Sequence, residues 1–240
     1  MTADLTGHRV LVVGGASRLG RAISLAAASA GAEVVVAGRD RAAVDAVVAA
    51  LDRPGSGVTV DLAAPDSIPT MAAAVGVFDH LVSTVSMHAT GSVRDLTDDA
   101  VQRSLDAKVL GPLRLVRATV DQIRPGGSCT FFSGQAAWRP AAGSVVTSTV
   151  NGALAFLVQA LAVDIAPVRV NAIAPGLIDS GALDRFGPER KQATLEQAAS
   201  RNPVRRAGRP ADIVSATLMV MTNGFMTGTT VHVDGGGPLG

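Results

Sequence analysis

Short apolar runs alternate along this chain with longer segments in which apolar residues recur at helical spacing. The runs are rich in Val and Ile. The best defined run, 9–13, leads through a glycine-rich turn at 14–20 directly into an amphipathic segment. Strands that alternate with helices predict βαβ units and a parallel sheet. We therefore expect an α/β fold, with a doubly wound parallel sheet flanked by helices.

The remaining elements follow from the same alternation. Predicted strands cover 9–13, 33–37, 58–60, 78–85, 128–132, 168–173 and 230–233. The first predicted helix follows the glycine turn, and the others cover 40–51, 98–123, 148–164 and 212–221. The helix over 98–123 is expected to be interrupted near Gly111 and Pro112. The 240 residues fit one domain over 1–240, because no linker or repeat divides them. The polar segment 181–209 is either a mobile substrate lid or a solvated helical excursion.

Composition narrows the partners and the compartment. A net charge of +1 and 3% aromatic residues offer nucleic acid neither a basic field nor stacking surfaces, so no nucleic-acid partner is expected. The one cysteine, Cys129, lies in an apolar run and is expected to be buried. No His/Cys/Asp/Glu cluster has metal-ligand spacing. We find no leader pattern and no charge-free apolar run of membrane-spanning length, and we expect a cytoplasmic protein without a membrane partner.

The glycine turn predicts a dinucleotide site of the Rossmann type. Gly14, Gly15 and Gly20 lie between a strand and a helix, where glycine lets the backbone approach a pyrophosphate. At the end of the second predicted strand, Gly38 stands where an acid would bind the 2′-hydroxyl of NAD(H). Arg39 follows it, and its guanidinium suits a 2′-phosphate, as does that of Arg18. We therefore expect NADP(H), although Arg39 could instead be a surface arginine paired with Asp40.

Four separated motifs point to one family. The turn 14–20 is similar to T-G-x-x-x-G-x-G, 61–62 to an acid-apolar pair, 169–176 to a strand that ends in a P-G turn, and 206–236 to a C-terminal pattern. Together they resemble the short-chain dehydrogenase/reductase family over nearly the whole chain. The resemblance implies that the cofactor is bound by Gly14, Ser17, Arg18, Leu19, Gly20, Arg39, Asp61, Leu62, Asn151, Pro175, Gly176, Ile178 and Ser180.

The catalytic positions depart from the family pattern. In the family that this chain resembles, the usual mechanism is a proton relay. A serine polarises a carbonyl, a tyrosine passes the proton, and a lysine and an asparagine support the tyrosine. This chain contains no tyrosine. The spacing of the motifs places other residues at these four positions. Gly134, which follows Ser133, stands at the position of the family's serine, Thr147 at the tyrosine, Asn151 at the lysine and Lys108 at the asparagine. Every member of the usual set is replaced.

Five residues remain as candidates for catalysis: Ser133, Thr147, Asn151, Lys108 and His88. A threonine hydroxyl is a poor proton relay, because it lacks the pKa near 10 of a phenol. The ammonium of Lys108 could extend into the space of the missing lysine, or Lys108 could be a surface residue at an oligomer contact. His88 follows the fourth predicted strand and could supply a proton, or it could be a loop histidine without a role.

Three kinds of function remain open. The chain could be an NADP(H)-dependent oxidoreductase that reduces a carbonyl or conjugated small molecule by a nonstandard route. It could instead be a catalytically inactive dinucleotide-binding sensor or assembly protein. It could also use the fold for a lyase, isomerase or cyclase reaction. The resemblance further implies a homotetramer or a homodimer, built on the two long helices and the last strand.

Overall fold

A computed structural model describes residues 3–87 and 89–240 of the protein. Its strands are β1 (Arg9–Val13), β2 (Glu33–Gly38), β3 (Gly55–Thr59), β4 (Phe78–Ser83), β5 (Ile123–Phe132), β6 (Arg169–Pro175) and β7 (Thr230–Val233). They form one seven-stranded sheet in the order β3-β2-β1-β4-β5-β6-β7. Every neighbouring pair of strands is parallel. The predicted doubly wound α/β fold is confirmed.

Helices cover both faces of this sheet. They are α1 (Arg18–Ser29), α2 (Arg41–Val48), α3 (Ser67–Val75), α4 (Asp98–Leu105), α5 (Gly111–Thr119), α6 (Val145–Asp164), α7 (Pro188–Arg201) and α8 (Pro210–Thr222). Side chains of α3, α5 and α6 belong to one buried apolar cluster, and those of α1, α2 and α8 belong to another. The molecule therefore has three layers, with the sheet in the middle.

The central strand β1 shows why its sequence is continuously apolar. Leu11 and Val13 belong to the cluster on one face, whereas Val10 and Val12 belong to the cluster on the other. All four side chains are fully buried. Alternate residues of a strand point to opposite faces, so a strand with helices on both sides needs apolar residues at every position.

The long helix predicted over 98–123 is divided differently from the prediction. A π-helical turn, Asp106–Leu110, separates α4 from α5. The predicted break near Gly111 and Pro112 therefore lies just before these residues. Pro112 is in the first turn of α5, where a helix does not need the missing N–H. π-helical turns are rare and often occur at functional sites.

Two other elements differ from the prediction. Helix α3 was not predicted, although Ile68, Met71, Ala72 and Val75 have the spacing of a buried helical face. Strand β5 begins at Ile123 rather than at residue 128. Its early part pairs irregularly with β4, where the register shifts.

Helix α6 corrects one expectation. It has 20 residues, and an 18-residue window of it has a mean hydropathy of 1.6, so by length and composition it could cross a membrane. The expectation that no apolar run of membrane-spanning length occurs is therefore wrong for this helix. One face of α6 packs on the sheet through Leu154 and Val158. On its other face, Phe156 is 72% exposed and Val163 is 81% exposed.

Candidate active site

The predicted site residues gather at the carboxyl edge of the sheet. The glycine turn follows β1, Arg39 follows β2, Ser133 follows β5, and Gly176 follows β6. The strand order reverses between β1 and β4, because β2 and β3 lie on one side of β1 and the later strands lie on the other. In open parallel sheets, ligands bind in the crevice at such a reversal.

The glycine turn is packed too closely for side chains. A Cβ on Gly20 would lie 2.0 Å from the carbonyl oxygen of Gly14. Gly14 itself has a φ of +80°, which favours glycine. The Thr84 hydroxyl donates to the Gly14 carbonyl at 3.3 Å and joins the turn to the segment after β4. The backbone here forms the open cradle that a pyrophosphate requires.

The start of α1 adds features that suit an anion. Arg18 has a φ of 48°, a left-handed conformation that is uncommon for a residue with a side chain. Its neighbour Ser17 precedes the helix, and the Ser17 hydroxyl makes no capping hydrogen bond. No acidic residue lies in the first turn of α1, so the partial positive charge of the helix start has no counter-charge within that turn. Leu19 is partly buried against the core.

Both arginines predicted to select the cofactor are exposed. Asp40 accepts hydrogen bonds from the backbone N–H groups of Ala42 and Ala43, at 2.9 and 3.2 Å, and so caps α2. Within residues 3–87 and 89–240, no ion pair involves Arg18 or Arg39. The alternative in which Asp40 pairs with Arg39 is therefore not seen. Both guanidinium groups are available to a phosphate.

Asp61 and Leu62 lie in a turn after β3. The Ser67 hydroxyl accepts from the Asp61 N–H at 3.0 Å and donates to the Asp61 carbonyl at 2.8 Å. Leu62 is 4% exposed and fixes the turn in the core. A Cβ on Gly111 would lie 3.2 Å from the Leu62 side chain. This turn is therefore anchored on α5.

The segment after β6 is equally close-packed. A Cβ on Gly176 would lie 2.8 Å from the Cα of Asp234, so the Pro175–Gly176 turn packs on the segment after β7. Ile178 forms an isolated parallel bridge with Gly208. The Ser180 N–H donates to the Ile178 carbonyl at 2.9 Å. The two ends of the segment 181–209 are thereby held together beside the sheet.

The segment 181–209 is mostly helical. Its main element, α7, has no buried residue, which agrees with the helical excursion. Lys191 pairs with Asp179 and Asp184 at 2.9 and 2.8 Å, and these contacts hold the start of α7 to the segment after β6. The structure is a single conformation, so the lid movement stays a prediction.

The hydroxyl groups at the catalytic positions donate to backbone carbonyls. Ser133 donates to the carbonyl of Asn151 at 2.9 Å, and Thr147 donates to the carbonyl of Ala89 at 3.2 Å. A hydroxyl has only one hydrogen to donate. In this conformation, both groups can therefore accept a hydrogen bond from a ligand but cannot donate one.

Asn151 is buried beside Gly134. Its side chain is 2% exposed, and its Oδ1 has no hydrogen-bond partner among the described residues. A Cβ on Gly134 would lie 3.1 Å from the Asn151 Nδ2. A buried amide oxygen without a partner costs free energy, and a hydroxyl of a bound ligand would relieve that cost.

Lys108 is the most unusual group at this edge. It lies in the π-helical turn and is 2% exposed, so the interpretation as a surface lysine is wrong. Its Nζ donates to the carbonyls of Phe132 and Ser133, at 2.6 and 3.3 Å. Burial lowers the pKa of Lys108 to about 7. The ammonium therefore reaches the carboxyl end of β5, and its placement in the space of the missing family lysine stays a prediction.

Two further residues complete the account of the site. His88 lies outside the described residues, so its role stays a prediction. Sequence reasoning missed Gln135, which follows Ser133 by two positions and has a buried Oε1 without a partner among the residues described. Its place just after a strand at the ligand-binding edge is the signal that could have identified it.

The sheet order, the glycine cradle and the residues around it define a dinucleotide-binding protein of the Rossmann type. A family model described as Enoyl-(Acyl carrier protein) reductase matches residues 14–237. Human Dehydrogenase/reductase SDR family member 4 is 33% identical over 98% of this chain and 88% of its own length. The chain belongs to the short-chain dehydrogenase/reductase family.

Solved structures agree with this assignment. A small-chain dehydrogenase in complex with NADPH has a TM-score of 0.84 and 27% identity, over 99% of this chain and 100% of its own. The MalC Reductase/Diels-Alderase from Malbranchea aurantiaca has a TM-score of 0.93 over all of both chains. At 24% identity, the latter shows the shared fold alone.

Proposed function

We propose that this chain is an NADP(H)-dependent oxidoreductase that reduces a carbonyl or conjugated small molecule at an active site without a tyrosine. The observation that carries the proposal is the buried Lys108, whose Nζ lies on the carbonyls that end β5. A buried amine with a pKa of about 7 is out of place in a purely structural helix. It is well suited to a site that needs a proton near neutral pH.

The cofactor-binding residues support NADP(H). Arg18 and Arg39 bind the 2′-phosphate, and the glycine cradle binds the pyrophosphate. Asn151 accepts a hydrogen bond from a ribose hydroxyl through its unpartnered Oδ1. The NADPH complex of the related small-chain dehydrogenase supports the same choice. When bound, the reduced nicotinamide supplies a hydride.

The chain's own residues supply the proton and the position of the substrate. Lys108 exchanges its proton with the substrate directly or through water, because near neutral pH it exists both as ammonium and as amine. Thr147 accepts a hydrogen bond from the substrate and does not relay a proton. The proposed site therefore replaces the tyrosine-lysine pair of the family with a lysine on a different helix.

A second function is supported by the hydroxyl groups. Ser133 and Thr147 donate to backbone carbonyls, and an inactive dinucleotide-binding protein would show such internally satisfied groups. A lyase, isomerase or cyclase that holds NADP(H) only structurally is the remaining alternative. In both cases Lys108 would not affect NADPH oxidation.

The first experiment measures cofactor choice by fluorescence titration with NADPH and NADH. Arg39→Gln should raise the Kd for NADPH about 10-fold or more, because a charge-assisted hydrogen bond to phosphate is lost. The Kd for NADH should stay nearly unchanged. Arg117→Gln, on the exposed side of α5, is the matched control. Tighter binding of NADH than of NADPH by the unmodified protein would overturn the assignment.

The second experiment follows NADPH absorbance with a panel of ketones, quinones and enones. We expect oxidation with at least one class, and a fall in kcat of about 100-fold or more in Lys108→Met, since general acid catalysis contributes about that much. Arg53→Met is the control, because Arg53 is an exposed cation just before β3, at the opposite edge of the sheet. NADPH binding without oxidation across the panel would favour the inactive binding protein. Turnover that Lys108→Met leaves unchanged would exclude Lys108 as the proton donor.

We also propose one domain over 1–240, with 181–209 as its substrate lid. The proposed assembly is a homodimer or homotetramer built on the two long helical segments, α4 with α5 and α6, and on the last strand β7. The exposed Phe156 and Val163 lie seven residues apart on one side of α6, where a second copy would cover them. Phe156→Glu should shift the protein towards a smaller species in sedimentation velocity. A monomeric unmodified protein would refute the proposed assembly.

A further inference from the structure

A cavity lies beside the segments that follow β5 and β6. A cleft of about 260 Å³ lies between the segment after β5 and helix α7. Gln135 lines it just after Ser133, and Leu177 lines it just after Gly176. The cleft is slightly smaller than the roughly 300–1,000 Å³ typical of drug-sized ligand sites, so it suits a small molecule.

The charge of this cleft has one sign. Arg139 and Arg201 line it, and none of its described lining residues is acidic. Arg139 donates one N–H to the carbonyl of Gly237, which fixes the guanidinium in place. A guanidinium has five N–H donors, so the others remain for a ligand. Arg201 projects from the last turn of α7 and is exposed.

A third group in the cleft calls for a hydrogen-bond donor. The Gln135 Oε1 is buried and has no hydrogen-bond partner among the described residues. A Cβ on Gly237 would lie 2.7 Å from this oxygen, so the C-terminal segment packs closely against it. An amide oxygen in this position accepts a hydrogen bond from a ligand hydroxyl.

We infer that the substrate is a small oxo-carboxylate that also carries a hydroxyl group. Arg139 and Arg201 bind its carboxylate, and Gln135 accepts from its hydroxyl. Bound in this way, the molecule lies between the ends of β5 and β6, next to the residues proposed to hold the nicotinamide. The reduction of the substrate's carbonyl rests on the proposed reductase function. The binding of its carboxylate and hydroxyl groups can be measured without turnover.

The test uses hydroxypyruvate, with dihydroxyacetone as its uncharged counterpart and pyruvate as the counterpart without a hydroxyl. Binding to the protein saturated with NADP⁺ is measured by calorimetry, and NADPH oxidation is measured separately. Hydroxypyruvate should bind at least about 10-fold more tightly than dihydroxyacetone, and at least about 3-fold more tightly than pyruvate.

Matched variants assign these preferences to residues. Arg201→Gln and Arg139→Gln should each abolish most of the preference for the charged ligand. Arg190→Gln should retain it, because Arg190 lies on the same helix but contacts the ring of Phe186 instead of the cleft. Gln135→Leu should remove only the preference for hydroxypyruvate over pyruvate.

The outcomes separate the two proposals. Equal binding of the charged and the neutral ligand, or equal effects of Arg201→Gln and Arg190→Gln, would overturn the anionic substrate. Selective binding of hydroxypyruvate without NADPH oxidation would support the anion site and count against the reductase function. The melting temperature of each variant is measured as well. A value equal to that of the unmodified protein shows that a loss of ligand preference is local to the cleft.

Discussion

Lys108 should make the stability of this protein depend on pH in a way that a single substitution removes. Burial lowers its pKa from the ordinary 10.5 to about 7. The unfolded chain therefore binds one more proton than the folded protein between these two values. Because stability rises with pH wherever the unfolded state binds more protons, the folded state gains stability from pH 7 upwards. The whole difference in pKa corresponds to about 5 kcal/mol.

A narrower pH range gives a measurable part of this free energy. Between pH 7 and pH 9, the Lys108 contribution to the free energy of unfolding should become more favourable by about 2 kcal/mol. Urea unfolding of the unmodified protein and of Lys108→Met at both pH values gives this change as a difference of differences. Other groups that titrate in this range are common to both proteins and cancel. Lys191→Met should behave as the unmodified protein, because ion pairs with Asp184 and Asp179 raise the Lys191 pKa.

The same pKa can be observed directly, since the chain contains only two lysines. Labelling lysine with ¹³C should give two side-chain resonances, which the two methionine variants assign. The Lys108 resonance should titrate near pH 7, whereas the Lys191 resonance should titrate above the ordinary lysine pKa of 10.5. A Lys108 resonance that titrates near 10.5, or parallel pH profiles of stability for the unmodified protein and Lys108→Met, would refute the reasoning.

Three other predictions test the packing around the site. Gly20→Ala should lower the melting temperature by at least about 4 °C and abolish NADPH binding, because its Cβ would overlap the Gly14 carbonyl. Gly152→Ala is its counterpart in open space, because a Cβ there meets no atom within 4 Å. It should stabilise α6 by about 0.5–1 kcal/mol. Asp212→Asn should cost about 1 kcal/mol at neutral pH, measured by urea unfolding. That cost should shrink as the pH falls from 3.8 towards 2, because ion pairing and a backbone hydrogen bond lower the pKa of Asp212 to about 2. Burial raises the pKa of Cys129 to about 12, so a thiol reagent should modify it only after unfolding.

The fold could be predicted because its signals are local. The central strands β1 and β2 are short apolar runs, and the helices on both faces explain why these runs do not alternate with polar residues. Helix α3 was missed because it is short, contains Pro69 and follows a turn rich in small residues. The start of β5 was missed because Arg124, Pro125 and two glycines have the composition of a turn.

The position of Lys108 shows where sequence reasoning about the site ends. Residues 104, 108, 111 and 115 follow one another at steps of four, three and four, and Ser104, Gly111 and Leu115 are buried. The helical period therefore indicated that Lys108 is buried as well. A lysine is rarely buried, however, and a glycine-proline pair three residues later made the helical phase uncertain. Only the structure shows that Nζ ends on the carbonyl of Phe132, the last residue of β5, and on that of Ser133, which follows it.

Gly134 and Asn151 are closely packed against each other. The Asn151 Nδ2 lies 3.1 Å from the place where any side chain at position 134 would begin. A serine at 134 would therefore crowd Asn151. Restoring the family serine at 134 alone would meet a steric conflict unless the Asn151 side chain shifts. We propose that the absence of tyrosine belongs with this packing, and that the buried Lys108 supplies the charge from another helix.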